Sequence, residues 1–322
     1  MLNPNLKLTP RPGIILAASL FSLLFWIIGL AIWFLTSHLG ALLRLGYLGC
    51  VLAIGLATWA SLPRAKRSHG RRLILVIIGS FLFFAILGMG VGDIQVEGFF
   101  FALWAGASGN AFYHYLIAKF FGPLLFGRIW CGWACWTAMI LDLLPFKRSQ
   151  GRLPEKFGWI RDLHFALSMS LTLLLAVGSN YANRFTNGSA TGLYWFLAGN
   201  IAYYILGITL AYVLKDNRAF CKYLCPVSVP LKLGSRFALL KIKGDRNSCN
   251  SCGACSRVCP MNIDVRAYIK EGSRVLSTEC ILCQTCVGAC PRQALQLSFG
   301  LDRGRPEKLI ITRSSKLQTV IK

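Results

Sequence analysis

The sequence predicts an α-helical integral membrane protein with about six transmembrane helices and a small α+β module at its C-terminus. Three observations lead to this fold class. Hydrophobic residues make up 55% of the 322 residues and charged residues only 15%. Apolar runs of about 20 residues, the length that crosses a bilayer as a helix, recur through the first two thirds of the chain. Eight of the thirteen cysteines lie between positions 249 and 290, after the apolar runs have ended.

The transmembrane domain is predicted to occupy residues 1–214. Its spans are expected at about 14–35, 41–62, 73–92, 99–121, 158–178 and 192–214. The first run is too long for a signal-peptide core and no small-residue cleavage site follows it, so we expect it to remain as the first span. The segment 121–145 is also apolar, but it contains Arg128 and Asp142. Charged groups are costly in lipid, which favours an interfacial or re-entrant helix over a seventh span.

Basic residues orient these spans. The net charge is +23, and the loops 63–72 and 122–157 are rich in Lys and Arg, whereas 93–98 has none and 181–191 has one. The positive-inside rule then places both termini and the C-terminal module in the cytoplasm. A membrane surface accounts for the basic charge, and we expect no nucleic-acid partner. Twelve cysteines have CxxC or CxxxC spacing, which is typical of metal ligands in a reducing compartment. We therefore expect a multi-pass protein of the bacterial inner membrane.

Residues 215–247 are predicted to form a basic cytoplasmic linker that lies on the membrane surface and meets lipid phosphates. The linker contains a CxxxCP motif, "CKYLCP", at 221–226. Residues 299–322 are predicted to be a basic, loosely ordered tail. The cysteine-rich module lies between them, at 248–298.

The module reads "CNSCGACSRVCP" at 249–260 and "CILCQTCVGACP" at 280–291, which is the same C-x2-C-x2-C-x3-C-P pattern twice. In a bacterial-type ferredoxin, the first three cysteines of each run bind one 4Fe-4S cluster and the fourth binds the other cluster. The pattern predicts two 4Fe-4S clusters. Cluster 1 takes Cys249, Cys252, Cys255 and Cys290. Cluster 2 takes Cys280, Cys283, Cys286 and Cys259. Structural zinc is the alternative, but zinc sites rarely use a duplicated pattern of this kind.

Two further pairs, Cys131/Cys135 and Cys221/Cys225, have CxxxC spacing and lie on the same predicted side of the membrane. Three hypotheses remain open. The four thiols bind a third iron–sulfur cluster or another metal, they form redox-active dithiols, or they pack helix ends. We expect nearby basic residues to lower the pKa of these thiols. These residues are Arg128, Arg218 and Lys222.

His114 and His164 are each expected about 10 Å inside the membrane, from the 1.5 Å rise per residue of a helix. Intramembrane ionisable groups suggest function by default. A quinone headgroup is one ligand, with histidine accepting the proton of the quinol. A bis-histidine haem is a less favoured alternative. The third alternative is that the two histidines are unrelated and each is only hydrogen-bonded to its neighbours. We also expect no covalent flavin at Thr191, because its loop is too short to enclose one. The tryptophans at 130, 133, 136 and 195 are expected to anchor the protein at the membrane interface.

The segment "GRIWCGWACWTAMILDLLP", followed by "CKYLCPVSVP" and a tandem ferredoxin pattern, resembles the NapH/MauN-type membrane polyferredoxins. These are related to the C-terminal part of NosR and to CcoG-type proteins. The resemblance covers about 99–298. In that family two CxxxCP motifs follow membrane spans and precede two 4Fe-4S motifs, although Trp136 stands here where the first motif usually has proline. The resemblance implies membrane-bound electron transfer, often between the quinone pool and a redox partner, or a role in assembling another enzyme.

These observations predict an electron-transfer component rather than a stand-alone enzyme, since neither a nucleophile–base pair nor a nucleotide fingerprint stands out in the sequence. The expected partners are membrane lipid, a protein redox partner or client oxidoreductase, and quinone. The alternative function is a maturation factor that uses its clusters and thiols to reduce a metal or disulfide during biogenesis of another enzyme.

Overall fold

The structure is a computed structural model. It describes residues 12–37, 39–89, 93–106, 110–146, 152–153, 157–179, 190–302 and 309–311. The described chain is mostly helical, with one two-stranded sheet. Part of the predicted tail and of the loops 147–156 and 180–189 lies outside these ranges.

Three long helices open the chain. α1 (Pro12–Thr36) and α2 (Leu39–Ser61) form an antiparallel pair, and α3 (Arg67–Met89) packs on α2 after a 3-10 turn at Arg64–Lys66. The first two agree with the predicted spans 14–35 and 41–62. α3 begins six residues before the predicted 73, because Arg67 and Arg71 in its first turns are buried and bind protein acceptors.

The predicted span 99–121 is wrong as a single helix. The structure divides it into α4 (Val96–Trp104) and a second helical run made of α5 (Asn110–Tyr115), a π-helix (Leu116–Phe121) and α6 (Gly122–Phe126). Phe99 of α4 packs against Phe112 and Tyr115 of α5, with ring centroids 5.9 and 5.1 Å apart. The two runs therefore fold back on each other. Gly106, at φ +62°, ends the first run in a conformation that glycine adopts readily.

The segment predicted to be re-entrant, 121–145, contains three helices of five or six residues: α6, α7 (Ile129–Trp133) and α8 (Trp136–Leu141). None is long enough to cross a bilayer. Two long helices follow, α9 (Trp159–Ser179) and α10 (Ala190–Leu214), close to the predicted spans 158–178 and 192–214.

Four described helices, α1, α2, α9 and α10, are long and apolar enough to cross a membrane. α3 has the length of a span, but its apolar part begins only after Arg72. In the part of the chain that the structure describes, the fourth predicted crossing consists of two short helical runs instead of one helix, and the first run ends in a turn at 105–106.

The C-terminal module is a small α+β unit. Strands β1 (Leu240–Gly244) and β2 (Leu295–Phe299) pair antiparallel, with Ile242 opposite Leu297. Three short helices lie between them along the chain: α13 (Ala254–Arg257), α14 (Val265–Lys270) and α15 (Thr285–Ala289). Since β1 starts at Leu240, the module begins earlier than the predicted boundary at 248.

The predicted linker, 215–247, is also packed rather than laid on a membrane surface. Besides β1 it contains α11 (Ala219–Tyr223) and α12 (Ser228–Arg236). Arg218 and Lys222 are buried. Lys222 pairs with Asp216 at 2.5 Å and donates a hydrogen bond to Asn262 in the module. These basic side chains compensate protein acceptors and are not available to lipid phosphates.

A fully buried carboxylate joins the module to the helical bundle. Glu279 is 0% exposed, and four basic side chains lie within 3.3 Å of it. They come from separate parts of the chain and are Arg128, Arg152, Arg161 and Lys232. Burial alone would raise the pKa of Glu279, but Arg128, Arg152 and Arg161 hold it well below its usual range. The carboxylate is thus charged, and it compensates bases that would otherwise be buried alone.

A second carboxylate ties the short helices together. Asp142, after α8, forms 2.7 Å ion pairs with Arg71 of α3 and with Arg218. Arg71 also donates to the Gly132 carbonyl (2.6 Å), and Arg218 donates to the Cys131 carbonyl (2.9 Å). One carboxylate and two guanidinium groups therefore fix the backbone of the first CxxxC motif.

We expect Glu279→Gln to loosen the module from the bundle, because the variant keeps the side-chain shape but leaves the buried bases without a counter-charge. Breaking a buried ion pair in this way costs about 3–5 kcal/mol. Limited proteolysis and thermal unfolding of the purified protein should both show the loss. Asp245→Asn, which removes an exposed carboxylate of the module, is the control. Equal protease resistance in Glu279→Gln and the unmodified protein would contradict the expectation.

Candidate iron–sulfur sites

Four cysteines predicted to bind cluster 2 line one apolar cavity in the module. They are Cys259, Cys280, Cys283 and Cys286. The space between the cavity walls is about 370 Å³ and is partly open to solvent, and the other walls include Met261, Ile281 and Leu282. Four thiols around an apolar cavity are the donor set that an iron–sulfur cluster requires. We call these cysteines the inner set, because they face the helical bundle.

The cysteines predicted to bind cluster 1 do not line this cavity, and we call them the outer set. They are Cys249, Cys252, Cys255 and Cys290. Burial raises the pKa of Cys255, and the neighbouring thiols Cys290 and Cys249 raise it further, which places these three close together. Cys290 follows α15, which packs against α13, the helix that contains Cys255. Cys252 is exposed to solvent, so the outer set is accessible from solvent.

The two cysteine runs have the same backbone conformation. Ser251 and Leu282 precede the second cysteine of each run, and Gly253 and Gln284 follow it. All four have positive φ, between +48° and +70°. A left-handed residue on each side of a cysteine curls the loop so that successive thiols turn inward. The geometry therefore repeats in both halves, as the duplicated sequence pattern predicts.

The four CxxxC cysteines also line a single cavity, which we call the thiol cavity. They are Cys131, Cys135, Cys221 and Cys225. Its remaining walls include Trp130, Tyr203, Phe220 and the cations Lys119 and Arg128. The empty space is about 630 Å³, which exceeds that of the inner set. Two pairs about ninety residues apart in sequence thus meet at one place with enough room for a comparable group.

A repeated local motif builds the thiol cavity, and the sequence analysis missed it. Both segments read R-x2-C-x3-C, with Arg128 and Arg218 in the first position. Each arginine precedes a five-residue helix. The amide of the second cysteine then donates to a carbonyl five residues back, Cys135 to Trp130 (3.1 Å) and Cys225 to Phe220 (2.9 Å). The shared arginine three residues before the first cysteine was the signal in the sequence.

Contrary to expectation, the basic residues do not lower the pKa of Cys135, Cys221 or Cys225 below its usual value. Burial raises the pKa of Cys221 to about 11 and outweighs Arg218 and Arg128, which lower it. Burial likewise raises the pKa of Cys135 and of Cys225. The arginines are engaged elsewhere, Arg128 with Glu279 and Arg218 with Asp142. Lys222 does not line the cavity. Thiols in such surroundings are neutral until a metal replaces their protons.

The two histidines lie near the thiol cavity but have different partners. The His164 Nδ1 lies 2.7 Å from the carbonyl oxygen of Leu224, next to Cys225. The His114 ring packs on Trp130 with centroids 5.1 Å apart, and its buried Nε2 has no hydrogen-bond partner among the described residues. The described contacts do not join the two rings. A shared quinone or haem site remains a prediction.

Three of the tryptophans expected at the membrane interface are internal instead. Trp133 is buried and its indole N–H donates to the Leu282 carbonyl of the module (3.0 Å). Trp136 donates to Asn200 (2.9 Å). Trp130 stacks under Lys119, with Nζ 3.7 Å from the ring centroid. These side chains pack the first CxxxC motif against its surroundings.

The thiol cavity and the inner set share one continuous core. Cys131, Ile281, Leu282 and Cys283 belong to the same cluster of buried side chains. A Cβ on Gly132 would collide with the Ile281 carbonyl oxygen, so only glycine lets the two backbones approach this closely. Among the described residues, groups of three or more His, Cys, Asp or Glu side chains arranged for a single metal ion are absent.

Comparison with known families matches two parts of the chain. Residues 220–295 match a family described as "4Fe-4S dicluster domain", and residues 116–152 match one described as "4Fe-4S binding domain". Both CxxxC pairs lie within these ranges. The chain therefore binds iron–sulfur clusters.

Three relatives illustrate the similarity. An uncharacterised protein of Methanocaldococcus jannaschii is 29% identical over 53% of this chain and 65% of its own length. The methylamine utilization ferredoxin-type protein MauN of Methylobacillus flagellatus is 32% identical over 42% of this chain and 48% of its own. The ferredoxin-type protein NapH of Haemophilus influenzae is 25% identical over 58% and 67%. The chain thus spans about half to two thirds of these relatives. No solved structure matches it.

We expect Gly132→Ala to push the module away from the thiol cavity, since the added methyl group meets the backbone of Ile281. Amide hydrogen exchange at residues 280–286 should become faster. Gly178→Ala is the matched control, because its added methyl group meets no described atom within 4 Å. Unchanged exchange in Gly132→Ala would show that the two backbones are not in close contact.

Proposed function

We propose that this chain, a NapH/MauN-type membrane polyferredoxin, relays single electrons between the membrane and a protein redox partner. The electrons would pass through three cysteine sets arranged in a row. The thiol cavity lies in the helical bundle, the inner set shares a buried core with it, and the outer set includes the solvent-exposed Cys252. The observation that carries the proposal is the shared core of Cys131 and Cys283 across the glycine contact at Gly132.

The residues present fit the groups that the proposal requires. Iron–sulfur clusters supply one-electron redox chemistry when bound. The inner set and the thiol cavity each offer four thiols on apolar walls, and the thiol cavity has more empty space. The inner set would hold cluster 2, the outer set cluster 1, and the four CxxxC cysteines a third cluster. Lys119 and Arg128 line the thiol cavity and would offset the negative charge of four thiolates.

Side chains next to the cysteines in the sequence hold the cysteine sets in position. Glu279, directly before Cys280, anchors the inner set to bases of the bundle. Lys222, directly after Cys221, binds Asn262 near Cys259. Both contacts fix the inner set to the bundle and to the segment that contains the second CxxxC pair. The exposed Cys252 marks the end at which a soluble partner would dock.

Quinone is the proposed membrane-side reactant. His114 is the better of the two predicted residues, because its buried Nε2 is unpartnered among the described residues whereas His164 is bound to a carbonyl. His114 packs on Trp130, which lines the thiol cavity. An imidazole in this position would accept a proton as quinol is oxidised. The basic loops on the module side support a cytoplasmic location for that side, in a bacterial inner membrane.

A maturation factor is the second candidate. The high pKa of Cys221, which burial produces, argues against a free redox dithiol in the cavity but not against metal delivery. In this role the clusters would reduce a metal of a client oxidoreductase. Deletion of the protein would then leave the client short of metal or cofactor and would not change quinol turnover.

The first test of the relay is the iron content. Two clusters correspond to about eight iron atoms per chain and three to about twelve, with equal acid-labile sulfide. We expect about twelve in anaerobically purified protein, and a loss of about four in Cys221→Ser. Cys50→Ser is the control, since Cys50 is a lone cysteine in α2. An unchanged iron content in Cys221→Ser would exclude a third cluster in the thiol cavity.

The second test is reduction by quinol. In anaerobic membranes we expect a quinol analogue to reduce the clusters, as seen by electron paramagnetic resonance. His114→Gln should slow this reduction by about 100-fold, the usual loss for a missing general base. His69→Gln is the control, because His69 is an exposed histidine of α3. Clusters that quinol leaves oxidised, in a protein that retains its iron, would favour the maturation factor.

A further inference from the structure

Glu97 is a carboxylate inside the helical bundle. It lies in the first turn of α4 and is 8% exposed. Its Oε1 accepts hydrogen bonds from the hydroxyl groups of Ser168 (3.1 Å) and Tyr203 (3.2 Å). Its Oε2 is buried and has no hydrogen-bond partner among the described residues. One oxygen is therefore held in place and the other is free to bind a proton.

The surroundings of Glu97 differ from those of the other buried carboxylates. Asp142 pairs with two arginines, and Glu279 with three arginines and a lysine. Within the described ranges, no Lys or Arg forms an ion pair with Glu97 or with the nearby Asp93. A carboxylate in a membrane interior without a counter-charge is costly, and binding a proton removes that cost.

The titratable groups that face Glu97 come from every element packed against it. They are Asp93 from the segment before α4, Tyr115 from α5, His164 from α9 and Tyr203 from α10. Since a carbonyl only accepts, the contact with Leu224 fixes the proton of His164 on Nδ1. The Asp93 Oδ1 accepts from the backbone N–H of Gln95 at 2.8 Å, and its Oδ2, like the Oε2 of Glu97, has no hydrogen-bond partner among the described residues. Of the two carboxylates, Glu97 is the one that accepts a hydrogen bond from Tyr203.

A single side chain, that of Tyr203, connects Glu97 to the thiol cavity. Tyr203, which donates to Glu97, also lines that cavity, and so does Gln95, two residues before Glu97. His164, which faces Glu97, is bound to the residue before Cys225. In an interior of low dielectric constant, charge added to the cavity acts strongly on a carboxylate at this distance. An added electron raises the affinity of Glu97 for a proton.

We propose that Glu97 is a proton-binding site whose occupancy is linked to the redox state of the group held by the four CxxxC cysteines. The inference rests on the proposed function, since it needs a redox group in the thiol cavity. As one electron enters the cavity from the donor, one proton passes from water to Oε2 of Glu97. When the electron leaves, the proton leaves with it, and no other bond changes. Ser168 and Tyr203 position the carboxylate.

The test is a redox titration of the purified holoprotein at several pH values, with dithionite as reductant. One linked proton changes the reduction equilibrium of the membrane-side signal tenfold per pH unit, or about 59 mV for one electron. We expect this slope in the unmodified protein and none in Glu97→Gln, which keeps the hydrogen-bonding shape. Glu97→Asp should restore the slope over a shifted pH range. Asp162→Asn, an exposed carboxylate of α9, should leave the slope unchanged.

Infrared difference spectra of the reduced and oxidised protein supply a second readout. A protonated carboxyl band should appear on reduction and should be missing in Glu97→Gln. A signal assigned to the thiol cavity by Cys221→Ser, but with a pH-independent potential, would overturn this inference and leave the relay intact. Absence of any such signal in protein with about eight iron atoms would overturn the third cluster and the linkage together.

Discussion

The buried carboxylate of Glu279 is the interaction on which the arrangement of the cysteine sets depends. It forms ion pairs with four basic residues, each from a different segment of the bundle or of the connection to the module: Arg128, Arg152, Arg161 and Lys232. Cys280 follows it directly, so the position of the inner set is fixed by the same contact. Ions this deeply buried are stable only when every partner is present. These ion pairs therefore fix the position of the module on the bundle.

The thiol cavity depends on a related constraint. Asp142 holds Arg71 and Arg218 together, and these two arginines bind the carbonyl groups of Gly132 and Cys131. The first R-x2-C-x3-C turn is thus fixed through its backbone carbonyl groups by arginines that are themselves ion-paired. Burial outweighs the effect of Arg218 and Arg128 on the pKa of Cys221. This explains how arginines adjacent to cysteines in the sequence fail to make their thiols acidic.

Much of the fold followed from hydropathy and spacing. The long helices at 12–36, 39–61, 159–179 and 190–214 lie where apolar runs of span length lie, because lipid exposure imposes a simple composition. The duplicated cysteine pattern also predicted the module directly.

The break at Gly106 was not predicted, since a hydropathy average over about 20 residues is little changed by a few small residues. The packed connection 215–247 was missed because its basic residues find acceptors far away in sequence, as Lys222 finds Asn262. The convergence of both CxxxC pairs could be proposed from topology, but Glu97 and Tyr203 meet only through tertiary packing.

The long sequence separation of the Glu279 contacts has a consequence for biosynthesis. Arg128 is made 151 residues before Glu279, and Arg161 is also made well before it. In the proposed orientation, these arginines lack their counter-ion while the helices enter the bilayer, and their positive charge would keep them on the side of the ribosome. The carboxylate that neutralises them is made only when translation reaches the second cysteine run. In that orientation the same charges would first set the topology and afterwards hold the finished module.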